Sequence, residues 1–569
     1  MKRLFTPRAA GALAALVFGL VSACSTVGEE GGSDGSELLI TGGTIHLGDG
    51  AGTTVEALLV RDGRVAFAGE LAGAVLAAGE DVRPLNLGGA TAVPGLQDAH
   101  GHLLGLGALL EAVDLQDTRS YEEVIERIAA RAAELAPGTW ITGRGWDHTR
   151  WPDAEFPHHA PLSDRVPDHP VLVSRVDGHA ALANARALSA AGLDGVLDPV
   201  PTVEGGRVHV DDAGRATGVL VDTAMQLVGR HVPEPDAGDL RRHLLHAQRK
   251  LLAEGLTCVH DMGLSPAELA LLRELEASGE LRLRVHAYLW GNGGLNAPAL
   301  APLLAERGGP CVQLSGVKLM IDGALGSRGA ALLHPYHDAP DEVGLLRMEQ
   351  DELEALVATC AELRLQPAIH AIGDRGNRAV LDAFERQAER DTGFLALRPR
   401  VEHAQVVAEA DWPRFAAMGA IPSMQPRHAT SDMRWAGERV GPERLRGAYA
   451  WRRLTADNAP LAFGSDFPVE PSAPLLGLYA ARTRQDEAGQ PAGGFQPEQR
   501  MSGAEALAGF TSGAAFAVRE EDERGQLRPG WFADLTVLDV DPVTCEPARL
   551  LDARVLLTVI EGEVVFDGR

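Results

Sequence analysis

The stretch Gln366–Arg390, QPAIHAIGDRGNRAVLDAFERQAER, decides the fold. It opens with an apolar run, Gln366–His370. It continues into Gly376–Arg390, whose apolar residues recur at spacings of three and four, so it reads as a strand followed by an amphipathic helix. A histidine stands at the joint. The same texture extends outward in both directions: apolar runs lie near Ala92–Leu96, Leu256–His260, Leu281–Tyr288, Val312–Met320, Arg400–His403, Ile421–Met424 and Leu461–Ser465, with further amphipathic stretches at Ser265–Ala277 and Glu349–Leu363. Runs of this kind alternating with helical segments predict repeated βα units and a parallel sheet, and eight of them fit an α/β fold of the (β/α)8 TIM-type barrel.

The two ends of the chain read differently. Residues 38–69 alternate short β-type runs with Gly-Gly, Gly-Asp-Gly and Asp-Gly turns, which is hairpin chemistry, and ADLTVLDVD, RVLLTVIEG and EVVFDGR repeat the pattern at the other end. The ends are therefore expected to build one small composite β-sandwich. The resulting plan places the N-terminal portion of the sandwich at 38–90, the barrel at 91–500, and the last barrel helix with the C-terminal portion of the sandwich at 501–569. Residues 103–255 form a large insertion expected over the barrel mouth.

The first residues fall outside this plan. Lys2, Arg3 and Arg8 precede a nearly wholly apolar run, Ala9–Ala23, too short to span a membrane, so 1–23 reads as a signal peptide. Val21-Ser22-Ala23-Cys24 resembles the bacterial lipobox, which implies acylation of Cys24 and an exported, lipid-anchored protein of the cell envelope, periplasmic or outer-surface, touching membrane only through that anchor. Residues 24–37, rich in Gly, Ser and Glu, read as a flexible tether. Across its 569 residues the chain is 45% hydrophobic and carries a net charge of −27, an ordinary globular composition that argues against nucleic-acid partners. Cys258, Cys311, Cys360 and Cys545 stand far apart, so neither a disulfide framework nor a zinc ribbon is signalled.

In such a barrel the active site forms where strands end. His100 and His102 follow the first run, and an i, i+2 pair in extended chain points both imidazoles to one side. His370 and His403 end two further runs and Asp466 follows another, so four histidines and an aspartate make an N/O set suited to zinc or a similar divalent ion. Lys318 is the sixth candidate. Lys2, Lys250 and Lys318 are the only lysines among 52 basic residues, and Lys318 sits within Gly316-Val317-Lys318-Leu319-Met320-Ile321, where an unpaired ammonium would be costly. Burial lowers a lysine pKa, and a neutral amine can add CO2 to become an anionic carbamate that could bridge two metal ions. A salt bridge to Asp322, or an ammonium snorkelling from the strand end, is the alternative.

The ordered series VPGLQDAHGH, VKLMIDGALGS, HAIGD, RVEHAQ and LAFGSDFPVEP, with DGHAALANARAL, GRATGVLVDTA, PSMQP and GQLRPGWFADLTVLD, closely resembles the amidohydrolase superfamily over about residues 38–569. Within it the chain is most similar to amidohydrolase family 3, the N-substituted formamide deformylase-like branch. The resemblance implies a metal-dependent hydrolase that cleaves a non-peptide carbon–nitrogen bond of a small amide-type substrate. His100, His102 and Asp466 would hold the more buried ion, His370 and His403 the more exposed one, with carboxylated Lys318 between them and zinc as the first choice of metal. Metal-activated hydroxide would attack, Asp466 would shuttle the proton, and His179 would polarise the carbonyl. Deamination, cyclic-amide opening or isomerisation at the same site stays open, as does a non-catalytic ligand-binding lipoprotein. Neither metal count nor a homo-oligomer is decided. Trp146, Tyr336 and Trp435 are candidate pocket aromatics, and Ser327-Arg328 is a candidate anion contact. The sequence lacks G-x-x-x-x-G-K-[ST], G-x-S-x-G and H-E-x-x-H, so a P-loop, a serine-hydrolase elbow and a zincin site are unsupported.

Overall fold

A strand buried on both faces has no polar side to show, which is why the apolar runs of this sequence are continuous rather than alternating. In the computed structural model, which describes residues 37–456 and 458–569, they become β1 (Leu96–Gly101), β2 (Leu256–Leu264), β3 (Arg284–Trp290), β4 (Val312–Met320), β5 (Gln366–Ala371), β6 (Arg400–His403), β7 (Ile421–Met424) and β8 (Ala462–Phe463). Each pairs in parallel with the next in chain order, and an isolated parallel bridge between Gly101 and Phe467 joins the two outer edges into a nearly closed barrel. The signal peptide, Cys24 and nearly all of the tether lie outside the described residues. Among the described residues no helix is long and apolar enough to cross a membrane.

Helices follow the strands as periodicity predicts. Pro266–Ala277 (α1) starts at a capping box in which Ser265 and Glu268 satisfy each other's backbone N–H groups. Gln350–Glu362 (α2) buries Leu353, Leu356, Val357 and Cys360, and Asp374–Arg390 (α3) buries Val380, Leu381 and Phe384. Pro426–Asp432 (α4) follows β7 directly.

One strand differs from the sequence reading. The run expected near Ala92–Leu96 divides at Pro94-Gly95: Thr91–Pro94 pairs antiparallel with Leu535–Leu538 in another sheet, and the barrel strand begins at Leu96. Pro94 has no N–H for the ladder. The Gly95 N–H goes to the Asp534 carbonyl at 2.8 Å, and the Leu96 N–H goes to Thr536 Oγ1 at 3.2 Å. A Cβ at residue 95 would lie 2.4 Å from Thr257 Oγ1, so only glycine permits β1 and β2 to approach here.

Thr91–Pro94 belongs to a six-stranded sheet whose other members are Thr44–His46, Thr54–Val55, Leu535–Leu538, Val555–Ile560 and Glu563–Asp567. A four-stranded sheet of Leu38–Thr41, Ala57–Arg61, Arg64–Gly69 and Arg83–Asn86 faces it across an aliphatic core that includes Ile40, Leu58, Leu535 and Val559. Both chain ends thus build the sandwich. Leu103–Ala247 forms a second compact unit with its own six-stranded sheet and a core around Trp146, Val173 and Leu182. Trp146, one of the candidate pocket aromatics, is fully buried there and donates its indole N–H to the Val173 carbonyl.

Candidate metal centre

The carboxyl ends of the barrel strands bring six of the singled-out side chains to one place. His100 comes from β1, Lys318 from β4, His370 from β5 and His403 from β6, while His102 and Asp466 stand just past β1 and β8. All six line a cavity of about 440 Å3. Two of them leave their strands through left-handed backbone, with φ of 73° at His403 and 63° at Asp466, a conformation non-glycine residues adopt only where the surroundings enforce it. Some of that enforcement is visible. Buried Asp98 accepts the His100 N–H at 2.9 Å, the Ser465 N–H at 3.1 Å and the Ser465 hydroxyl at 2.6 Å, clamping the ends of β1 and β8 together. Gly464 makes room, because a Cβ there would fall 2.5 Å from the His100 nitrogen.

The histidines are oriented from behind. His100 Nδ1 lies 2.6 Å from Glu402 Oε2, both side chains fully buried, and a carboxylate only accepts, so Nδ1 carries the proton and Nε2 presents a lone pair. That Nε2 is 3.3 Å from Lys318 Nζ and 3.5 Å from Asp466 Oδ1. His403 Nδ1 donates to Gln425 Oε1 at 2.8 Å, which frees its Nε2 in the same way. His102 Nε2 is 3.2 Å from Asp466 Oδ1, and His428, on α4, places Nε2 3.7 Å from Asp466 Oδ2. Glu402 is itself held by Arg400, fully buried beneath the site, whose Nε donates at 2.8 Å.

Burial and, second, Lys318 lower His100 to about 4 and His370 to about 3, so both are neutral imidazoles at neutral pH. Burial also pulls Lys318 down to about 8, against the opposing pull of Glu402 and Asp466. For Asp466 burial acts upward, yet His100, His102, His403 and His428 outweigh it and hold the carboxyl far below the usual range.

The donor set fits a divalent ion on observations independent of any family. His100, His102 and Asp466 offer one ligand atom each within a span of 4.8 Å, and so do His403, His428 and Asp466. The Nε2 atoms of His370 and His428 are buried without a hydrogen-bond partner, which leaves nitrogen lone pairs for a cation. The comparisons agree. The model of the Amidohydrolase family matches residues 84–566.

The chain belongs to the amidohydrolase family.

Protein LONG AFTER FAR-RED 3 of Arabidopsis thaliana is 32% identical over 550 residues, spanning 93% of this chain and 92% of its own. The N-substituted formamide deformylase of Arthrobacter pascens is 27% identical over 550 residues, spanning 93% and 98%. The crystal structure of an uncharacterized metal-dependent hydrolase from Pyrococcus horikoshii OT3 superposes with a TM-score of 0.74 at 31% identity, covering 90% of this chain and 99% of its own.

Within this family frame the remaining expectations divide. His179 is in the Leu103–Ala247 unit, solvent-exposed, with Nδ1 2.7 Å from Asp222 Oδ1. Trp435 lines the cavity, whereas Tyr336 is packed with its hydroxyl on the Ala330 carbonyl. Arg328 pairs with Asp338, and no ion pair between Lys318 and Asp322 occurs among the described residues. Asp322 instead accepts the backbone N–H groups of Ala331, Ile372 and Gly373, which anchors the loops after β4 and β5. Sequence reasoning missed His428, Glu402 and Arg400. Glu402 could have been found as Lys318 was, as a charged residue inside an apolar run; the helical His428 carried no such signal.

Proposed function

We propose that the protein hydrolyses a non-peptide carbon–nitrogen bond, of the N-formyl or N-acyl amide type, in a small molecule, using one or two divalent ions with zinc as first choice. The supporting observation is the convergence of His100, His102, Lys318, His370, His403 and Asp466 on one cavity at the carboxyl ends of the barrel strands. His100, His102 and Asp466 would hold one ion, His370 and His403 a second, and Lys318 both. Such an ion lowers the pKa of water to about 7 and polarises a carbonyl. With its pKa lowered to about 8, Lys318 has a neutral fraction near pH 7 whose nitrogen adds to CO2, releasing a proton and leaving an anionic carbamate. Asp466, ionised at neutral pH, accepts the proton of the attacking water and delivers it to the departing nitrogen, which would otherwise leave as a poor amide anion. His179 would donate to the carbonyl, its other ring nitrogen steadied by Asp222. Cys24 would carry the lipid anchor, and Cys24→Ala should move the protein from detergent to aqueous phase.

The test is metal analysis of wild type and Lys318→Ala, each with a panel of N-formyl, N-acyl and cyclic amides. Wild type should carry metal and cleave an amide, and the variant should lose both. A wild-type protein that stays metal-free after supplementation with metal and bicarbonate, and cleaves nothing, would overturn the reading.

A further inference from the structure

Above the metal-binding residues the cavity wall is largely apolar, with Trp290, Met320, Leu325, Ile372, Trp435 and Val469. Its charge is one-sided. Among the described residues no arginine lines it and Lys318 is its only lysine, while two carboxylates outside the ligand set, Asp432 and Glu470, line it. These two differ in one decisive respect. Glu470 is paired with Arg427, whose Nε donates to Oε2 at 3.0 Å while its Nη1 serves Glu487, and it also accepts the Ser431 hydroxyl. Asp432 has no Lys or Arg partner among the described residues. It is held by the Tyr449 hydroxyl at 2.7 Å and the Gln405 amide at 3.1 Å, both neutral donors and both on Oδ2. Oδ1 takes no hydrogen bond from the described residues.

A carboxylate partly removed from water, whose hydrogen-bond donors are both neutral and on which only the His428 imidazole acts with opposite charge, is less fully compensated than one paired with an arginine. Three residues further on, the indole of Trp435 lines the same cavity and is backed by Gly326, where a Cβ would lie 3.3 Å from the ring. The Arg439 guanidinium lies 5.9 Å from the centre of this ring, so the indole already answers one cation. A carboxylate oxygen without a donor and an aromatic ring lining one cavity are groups that attract an ammonium by charge-assisted hydrogen bonding and by the ring quadrupole.

We propose that Asp432, with Trp435, recognises a protonated basic nitrogen on the portion of the substrate remote from the scissile amide. The preferred substrates are N-acylated or N-formylated compounds with a cationic tail. N-acyl amino acids, whose carboxylate would meet Asp432 where no arginine lines the cavity among the described residues, are disfavoured. This substrate class rests on the amide-hydrolase reading, but the anchor itself is a binding property and can be measured without turnover.

Calorimetric titration of the protein as purified with benzylammonium and with its neutral isostere benzyl alcohol reads the anchor directly. In wild type the ammonium should bind at least about tenfold more tightly, the equivalent of one charge-assisted contact. In Asp432→Asn the ratio should collapse towards unity while benzyl alcohol binding stays as it was. A wild-type ratio near one overturns the proposal whatever the variant does, so a variant that fails to fold does not shelter it. An unchanged ratio in a folded Asp432→Asn overturns it as well. A protein that cleaves no amide yet shows the ratio refutes the hydrolase reading and leaves the anchor standing. One that cleaves neutral amides without the ratio does the reverse.

Discussion

The barrel and the sandwich are both β-structures of one chain, and their interiors are built on opposite rules. The cluster that fills the sandwich is made of leucine, isoleucine, valine and alanine. The barrel buries His100, Lys318, Arg400, Glu402, Asp98 and Asp322 to within a few per cent of full occlusion. A buried charge stabilises little by comparison with an apolar residue of the same volume and must be held by partners. Where chemistry is absent the chain fills its core with aliphatics, and where a cation is to be bound it accepts the desolvation of charged groups and builds a cage of hydrogen bonds to hold them. The contrast separates stability from function by location, and it can be attacked by mutation.

The largest effect belongs to the site itself. Asp466→Asn should keep the fold and much of the metal but lower kcat by about 10²- to 10⁴-fold on whichever amide the wild type cleaves; near-normal turnover would remove Asp466 as the proton carrier. Next comes the cage. Glu402→Ala leaves Arg400 buried without its carboxylate, though still hydrogen-bonded to Tyr288, Ala99 and Ser423, which should destabilise by about 3–5 kcal/mol in denaturant titration, and should weaken metal retention against a chelator by about 10- to 100-fold because His100 loses its orienting acceptor. The sandwich supplies the control: Leu535→Ala, at a fully buried position, should cost about 2–5 kcal/mol and leave metal content untouched. Should Leu535→Ala shed metal as readily as Glu402→Ala does, the two interiors are not functionally separate.

The smallest effect is in pH. In chelated protein His100 and His370 titrate at about 4 and about 3 when folded, against 6.5 for the free side chain, because burial and then Lys318 disfavour the imidazolium. The unfolded chain therefore takes up protons first as pH falls below 6.5, and stability drops by on the order of 1 kcal/mol per histidine per pH unit. Asp98 and Asp322, raised to about 7 by burial, work the other way between 3.8 and 7. Burial also pushes His260 and His403 well below their ordinary value, so the histidines prevail and the chelated protein should melt at lower temperature at pH 5 than at 6.5. A higher Tm at pH 5 would reverse the sign.

The elements of this arrangement differ in how plainly the sequence carries them. Seven of the eight barrel strands coincide with apolar runs, because burial on both faces leaves a continuous signature. The eighth was misplaced because Thr91–Pro94 and Leu96–Gly101 make one apolar stretch, and only the missing N–H of Pro94 and the crowding at Gly95 divide it between two sheets. His100, His370, His403 and Asp466 were legible since each ends such a run. His428 was not, since a histidine on a short helix after β7 has no local mark and reaches Asp466 only through the angle at which that helix leaves the barrel. Asp432 is silent for a related reason: which carboxylate keeps an arginine and which does not is set by contacts between α4, the loop after β8 and the chain near Tyr449.

The antiparallel pairing of Thr91–Pro94 with Leu535–Leu538 has a consequence in time. During synthesis the first of these strands leaves the ribosome some 440 residues before its partner exists, an interval of about 20–90 s at ordinary elongation rates. Throughout it, the edge of the N-terminal half-sheet has nothing to pair with and needs shelter from other chains. A premature stop just after residue 530 would spare every candidate ligand of the metal centre and still withhold the three strands that complete the sheet. Such a product would encode every proposed site residue and lack the completed sheet that closes the sandwich.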